Sequence, residues 1–206
     1  MLKLYFVRHG ETAANQQGVY YGSSNLPLTE QGKLQMQQVG KMLATVRFDN
    51  VLASGLQRAQ QSAQILLAEN KQMLPTIIIE PKLNELDFGD WEGRHYQELM
   101  QQDNERYSAW CNNWQTYAPP NGESFQQFKQ RVGHVITGQI ISHDEQTLLI
   151  VGHQGSLRVL LLSLLQLPEK VFWQFSFQQG TYSLLTFHHQ HGNIEKINAI
   201  DHQSSY

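Results

Sequence analysis

Leu4-Tyr5-Phe6-Val7-Arg8-His9-Gly10-Glu11-Thr12, close to the start of the chain, decides the fold. Four apolar or aromatic residues in a row read as a short buried strand, and the run stops abruptly at an arginine, a histidine and a glycine. In open α/β sheets ligands sit beyond the carboxyl ends of the strands, so such a strand delivers His9 to where chemistry is done. Gly10 supplies a sharp turn, and Asn15 follows within reach of the same spot. An arginine beside a nucleophilic histidine implies an anionic substrate. On these residues alone, a solvated Arg-His pair at an ordinary strand end explains the pattern equally well.

Working outward, a second stretch repeats the arrangement. Thr147-Leu148-Leu149-Ile150-Val151 is another buried-strand run; it ends in Gly152-His153-Gln154-Gly155 and turns into an apolar helix, so His153 occupies the position equivalent to His9. Two strand-end histidines are harder to dismiss than one. The amides of Gln154 and Gly155 at that helix start are candidates to face an oxyanion. Val51-Leu52-Ala53 gives a further strand, and Ser54 opens a turn that puts Arg58 in the first turn of a helix. Arg58 then shares the site edge with His9 if the two strands are neighbours.

Thr76-Ile77-Ile78-Ile79 suits a buried parallel strand and leads into Leu83-Asn84-Glu85-Leu86-Asp87-Phe88-Gly89-Asp90-Trp91-Glu92-Gly93. Glu85 is the candidate acid, because a carboxylate aimed into an anion cleft must be handling a proton. The plainer alternative is a solvated acidic loop made of Glu85, Asp87, Asp90 and Glu92. Thr29 caps a helix that carries Met36, Val39 and Leu43 on one face. A helix is predicted from about Tyr96 to Tyr117; its Trp110 and Trp114 are core by default, but the mixed aromatic and polar segment suits a flat apolar ligand. Glu123-Ser124-Phe125 starts another helix, and Val171–Phe175 and Tyr182–Phe187 read as late strands. The tail is polar, and its His188, His189, His191 and His202 show no metal-ligand spacing, so they read as solvated surface.

Composition narrows the classes. The chain has 206 residues, of which 40% are hydrophobic and 16% charged, with a net charge of −3. That length suits one domain over 1–206, and the charge argues against nucleic-acid binding, so an anion site must be a local concentration of arginines. The single cysteine, Cys111, forms no intrachain disulfide, which fits a reducing compartment. Neither a signal peptide nor an apolar run long enough for a membrane is visible, and the expectation is a cytoplasmic protein without membrane partners.

Arg8-His9-Gly10-Glu11-Thr12 with Asn15, Leu28-Thr29-Glu30-Gln31-Gly32, Ser54-Gly55-Leu56-Gln57-Arg58-Ala59, Glu85 ahead of Phe88-Gly89-Asp90-Trp91-Glu92-Gly93, and Gly152-His153-Gln154-Gly155 together resemble the histidine phosphatase superfamily, also called phosphoglycerate mutase-like. The blocks run in the family's order from residue 4 to about 160. The resemblance implies an α/β fold, a three-layer α/β/α sandwich on a mostly parallel central sheet. It implies His9 as nucleophile, Arg8, Arg58 and His153 as the phosphate pocket, Asn15 as a further phosphate contact and Glu85 as proton donor. Gly22 and Gln154 are added as substrate-binding positions, and neither a metal nor another cofactor is expected.

Within the superfamily, residues 107–115 and His153-Gln154-Gly155 are similar to the α-ribazole phosphatase branch. Gly22-Ser23-Ser24-Asn25 and Gln154 depart from the mutase pattern, which argues for water as acceptor. The expected partner is a small phosphomonoester. A broad-specificity sugar-phosphate phosphatase, a mutase and a non-catalytic phospholigand binder stay open as alternatives, as does the oligomeric state.

Overall fold

The computed structural model describes residues 1–73, 75–136, 145–188 and 191–200. Six strands form one sheet: β1 (Leu2–Arg8), β2 (Asn50–Ser54), β3 (Ile77–Glu80), β4 (Thr147–Gly152), β5 (Tyr182–His188) and β6 (His191–Ala199). Their order is β3-β2-β4-β1-β5-β6, parallel from β3 through β1, with β5 antiparallel to β1 and β6 antiparallel to β5. Alternation within the buried strands divides the core. Leu4, Phe6, Leu52, Leu148 and Ile150 face one side, with Phe128 and Val132 of α6 (Phe125–Val135) and Leu157 and Leu160 of α7 (Gln154–Leu164). Val7, Val51, Ala53, Leu149 and Val151 face the other, against Met36 and Val39 of α2 (Glu30–Met42) and Ala63 and Leu66 of α3 (Gln57–Ala68). The result is the expected sandwich, a mostly parallel sheet between two helical layers.

Local signals explain most boundaries. The Thr29 hydroxyl accepts from the Gly32 amide at 3.0 Å and opens α2, and Ser124 and Gln127 form a reciprocal cap on α6. Gly10 is required for contact rather than for turning: a Cβ there would collide with the Gly32 carbonyl at the start of α2.

Four sequence expectations need correction. β1 and β2 are not neighbours, because β4 lies between them. The helix predicted over residues 96–117 is two, α4 (Tyr96–Gln102) and α5 (Asn104–Asn113), preceded by the short α1 (Ala13–Gln17) much earlier in the chain. Asp103 leaves helical geometry between α4 and α5, accepting from the Trp91 indole at 2.9 Å and from Arg106 at 2.6 Å. Val171–Phe175 is not a strand but lies mostly within a 3₁₀ turn, Glu169–Gln174. A strand would send Phe172 and Trp173 to opposite faces; the helical turn lets both rings pack on Trp114, with centroids 5.4 and 5.5 Å away. Finally, the polar tail contains the edge strand β6, whose exposed residues hide the alternation that marks buried strands. His189 and His202 lie outside the described residues.

Candidate active site

The parallel register pairs Arg8 with Gly152, so the next residue of each strand, His9 and His153, emerge side by side. The His9 amide donates to the Gly152 carbonyl at 3.0 Å, and the two imidazole centroids are 5.0 Å apart. His9 is 2% exposed, and His153 and Arg58 are 0% exposed. The Gly10 carbonyl lies 2.7 Å from His9 Nδ1; a carbonyl only accepts, so Nδ1 carries the proton and Nε2 keeps the lone pair. Burial and the Arg58 and Arg8 guanidinium groups hold the pKa of His9 well below the ordinary imidazole value. His9 is neutral at pH 7.

His153 is held in a chain of bonds whose polarity is fixed. Arg58 Nε donates to its Nδ1 at 3.2 Å, so its proton sits on Nε2 and goes to Ser54 Oγ at 2.7 Å. Ser54 in turn donates to Asn84 Oδ1 at 2.8 Å. Burial, followed by Arg58, also pushes the His153 pKa well down. The family resemblance placed His153 in a phosphate pocket; this arrangement makes it a neutral imidazole there.

Arg58 reaches the site across His153 rather than from a strand beside β1. Its Nη1 donates to the Ser24 carbonyl at 2.6 Å and its Nη2 to the Gly22 carbonyl at 2.8 Å. With the bond to His153, these engage three of the five guanidinium N–H groups. The Tyr21 ring lies 4.7 Å from the guanidinium, and its hydroxyl is 3.5 Å from His9 Nε2. Arg8 Nη1 donates to the Phe177 carbonyl at 3.3 Å, and Arg8 Nε is buried without a partner among the described residues.

The loop that supplies those carbonyls is organised by one carboxylate. Glu92 accepts from the amides of Gly22, Ser23, Ser24 and Phe88 at 2.7 to 3.1 Å and from the Ser24 hydroxyl. The acidic segment is therefore not a solvated loop. It also means that the Gly22 amide is taken by Glu92. Glu92 and Tyr21 escaped the sequence reading as site residues, since an acidic residue and a loop tyrosine carry no signal until their partners are known.

Glu85 accepts from the Gly155 amide at 2.8 Å through Oε2 and from the Leu86 amide at 3.0 Å through Oε1. The Gly155 N–H is thus bound to Glu85 and does not face the cleft as expected. Arg131, unnoticed in the sequence, fixes this segment. It pairs with both oxygens of Glu123 at 2.6 and 2.7 Å and donates to the carbonyls of Lys82, Asn84 and Glu85. Asn15 Oδ1 accepts from the Thr12 amide, the Thr12 hydroxyl and Gln179, and Gln154 Oε1 accepts from the Phe177 amide at 3.0 Å.

Glu85 borders two spaces. One is an open polar groove with Asn84, Asn121 and Arg131 on its walls. The other is a cavity of about 400 Å³ with Tyr20, Phe88, Trp110, Trp114 and Trp173 on its walls. Among the described residues no group of three His, Cys, Asp or Glu is placed to hold a metal ion, and no helix is long and apolar enough to cross a membrane.

The family model for the histidine phosphatase superfamily (branch 1) matches residues 4–200. The chain belongs to the histidine phosphatase superfamily. This histidine phosphatase is 43% identical over 198 residues to the adenosylcobalamin/alpha-ribazole phosphatase of Escherichia coli K12, with 96% of each chain covered. It is 41% identical to the enzyme of the same name from Salmonella typhimurium LT2, again over 96% of both chains. The crystal structure of the alpha-ribazole phosphatase from Shigella flexneri superposes with a TM-score of 0.88 at 43% identity, covering 96% of each chain. The superfamily resemblance read from five sequence blocks, and the likeness to its α-ribazole phosphatase branch, are both borne out.

Proposed function

We propose that this histidine phosphatase hydrolyses the 5′-phosphate of α-ribazole, or of adenosylcobalamin carrying that nucleotide, with His9 as the nucleophile. The observation that carries this reading is the buried, neutral His9, oriented by the Gly10 carbonyl so that Nε2 offers its lone pair beside Arg58. Relatives named for these two substrates cover 96% of the chain. No feature of the site favours a mutase or a purely binding role.

A phosphate monoester dianion repels nucleophiles, so catalysis must come from positioning and charge stabilisation. Arg8 and the two unengaged N–H groups of Arg58 bind the non-bridging oxygens. At an effective dielectric near 20, each contact about 4 Å away contributes roughly 4 kcal/mol of attraction before desolvation. Asn15, whose oxygen is already saturated, offers its Nδ2 as a further donor. The neutral His153 holds Arg58 in place through Nδ1 and presents its ring edge beside His9.

Nε2 of His9 attacks phosphorus in line. The bond from phosphorus to the 5′-oxygen breaks, its electron pair leaves with that oxygen, and Glu85 protonates it. Glu85, now a carboxylate, takes a proton from water as the water oxygen attacks the phosphohistidine. The phosphorus–nitrogen bond then breaks and returns its electrons to His9, releasing inorganic phosphate.

Rapid quenching with ³²P-labelled α-ribazole 5′-phosphate should trap an acid-labile label that vanishes in His9→Ala, with phosphate release unaffected by a chelator. Label retained in His9→Ala, or no phosphate released from this ester, would overturn the assignment.

A further inference from the structure

We propose that the aromatic cavity beside Glu85 binds a planar bicyclic azole carried by the ester's alcohol, and that Arg158 selects it by donating a hydrogen bond to the ring nitrogen not used by the glycosidic bond. This rests on the function proposed above and adds to it the group that distinguishes one base from another.

The geometry restricts where the alcohol can go. A leaving oxygen protonated by Glu85 must sit at Glu85, and the cavity is one of the two spaces that residue borders. The groove on the other side is lined mainly by amide and charged side chains with Leu56, Pro81 and His134, and among the described residues presents no tryptophan, tyrosine or phenylalanine face. The cavity offers tryptophan and phenylalanine faces. Trp173 is 50% exposed, a large apolar surface left bare at the cavity wall. Indole and phenyl faces bind a flat ring by stacking and by removing such surface from water.

Arg158 makes this more than an apolar slot. It projects from α7, one turn beyond the Gly155 amide that holds Glu85. Its guanidinium lies 5.3 Å from the Phe172 ring centroid and 5.2 Å from that of Trp173, and its Nε donates to the Phe175 carbonyl at 2.6 Å. Among the described residues no carboxylate lies within ion-pair distance of it. The wall at Arg158 therefore presents cationic donors, while the carboxylate that shares the cavity, Glu85, already accepts from the Gly155 and Leu86 amides. A neutral azole with an in-plane lone pair satisfies the Arg158 donors. The same ring with that nitrogen alkylated, or bound to a metal, leaves the donors facing a positive or blocked edge. The ribotide with that ring nitrogen free is then preferred over a form in which it is coordinated.

The test uses the phosphate-free nucleoside α-ribazole and its N-methylated cation, so that binding is read without the phosphate site. Tryptophan fluorescence reports the cavity directly, and Cys111, exposed and on the cavity wall, reports occupancy through its rate of alkylation. α-Ribazole should quench the fluorescence and slow alkylation, and the methylated cation should bind about tenfold more weakly because it leaves the half-buried Arg158 donors unpaired. Arg158→Met should bring that ratio close to one, and Arg158→Lys should keep part of it. No quenching by α-ribazole, equal binding of the two ligands by the unmodified protein, or an undiminished ratio in a folded Arg158→Met would overturn the proposal. The comparison in the unmodified protein stands even if Arg158→Met fails to fold. Hydrolysis of α-ribazole 5′-phosphate without nucleoside binding would sink this inference and leave the proposed function standing. Discriminating nucleoside binding without hydrolysis would do the reverse.

Discussion

The His9 cluster and the Trp173 cavity, with Glu85 bordering the latter, are built on opposite principles. At the His9 end every polar atom of Arg58, His153 and Ser54 has a protein partner before any substrate arrives, and those partners are mostly backbone carbonyls or neutral side chains. Arg58 keeps its charge there without a contacting carboxylate, which preserves the field for a substrate anion. At the Trp173 end the walls are aromatic faces, one guanidinium supplies polarity, and half of an indole is open to water. On the proposed function, the first stabilises charge and the second recognises shape. Chemistry and selectivity should therefore be separable by mutation.

The largest effect should come from Arg58→Ala. Losing a preorganised donor to the transferring group should lower kcat/KM by about 10²- to 10³-fold, equally for α-ribazole 5′-phosphate and p-nitrophenyl phosphate. A loss confined to the natural ester would break the division.

Glu92→Gln should come next, because charge-assisted bonds to four amides become weaker neutral ones. The expected cost is about 2 kcal/mol of stability, seen as a lower Tm, with a fall in kcat on both esters as Gly22 and Ser24 loosen around Arg58. An unchanged Tm would remove Glu92 from its organising role.

Trp173→Ala acts at the other end. It should raise KM for α-ribazole 5′-phosphate by about tenfold through lost apolar contact, lowering the ratio of kcat/KM for that ester over p-nitrophenyl phosphate. A drop in kcat shared by both esters would show that the two ends are coupled.

The last effect is a pH slope in stability, with no change in rate required. His9 and His153 are buried neutral, with pKa values well below that of an exposed imidazole. As pH falls below about 6.5 the unfolded chain binds protons that the folded chain refuses, so stability drops with decreasing pH until the folded values are reached. The slope should approach about 1.4 kcal/mol per pH unit for each histidine. His153→Gln should remove one histidine's share, whereas Trp173→Ala should leave the slope as it is. Denaturant titrations between pH 7 and 5 measure it.

The same division explains what the sequence revealed. His9 and His153 were legible because each follows a buried strand directly, and parallel pairing alone brings them together. Arg58 and Glu85 sit in short blocks that resemble a family, so their neighbourhood could be read even though the intervening strand could not. The aromatic end was read only in outline. Its walls come in part from the loop after α1, from α5, and from a 3₁₀ turn whose consecutive Phe172 and Trp173 imitate a strand. Arg158 gave no signal, since an arginine in an apolar helix declares a role only once the rings beneath it are placed. Glu92 and Arg131 act through backbone groups, whose positions no residue pattern states.

The position of β4 between β1 and β2 has a consequence for biosynthesis. A growing chain that has not reached residue 147 contains β1, β2 and β3 but not the strand that joins β1 to β2, and it lacks His153. The two earlier segments wait on the ribosome with their inner edges unpaired until residues 147–153 emerge and insert between them. A nascent polypeptide shorter than this should remain protease-sensitive and unable to retain phosphate, so activity arises only late in translation.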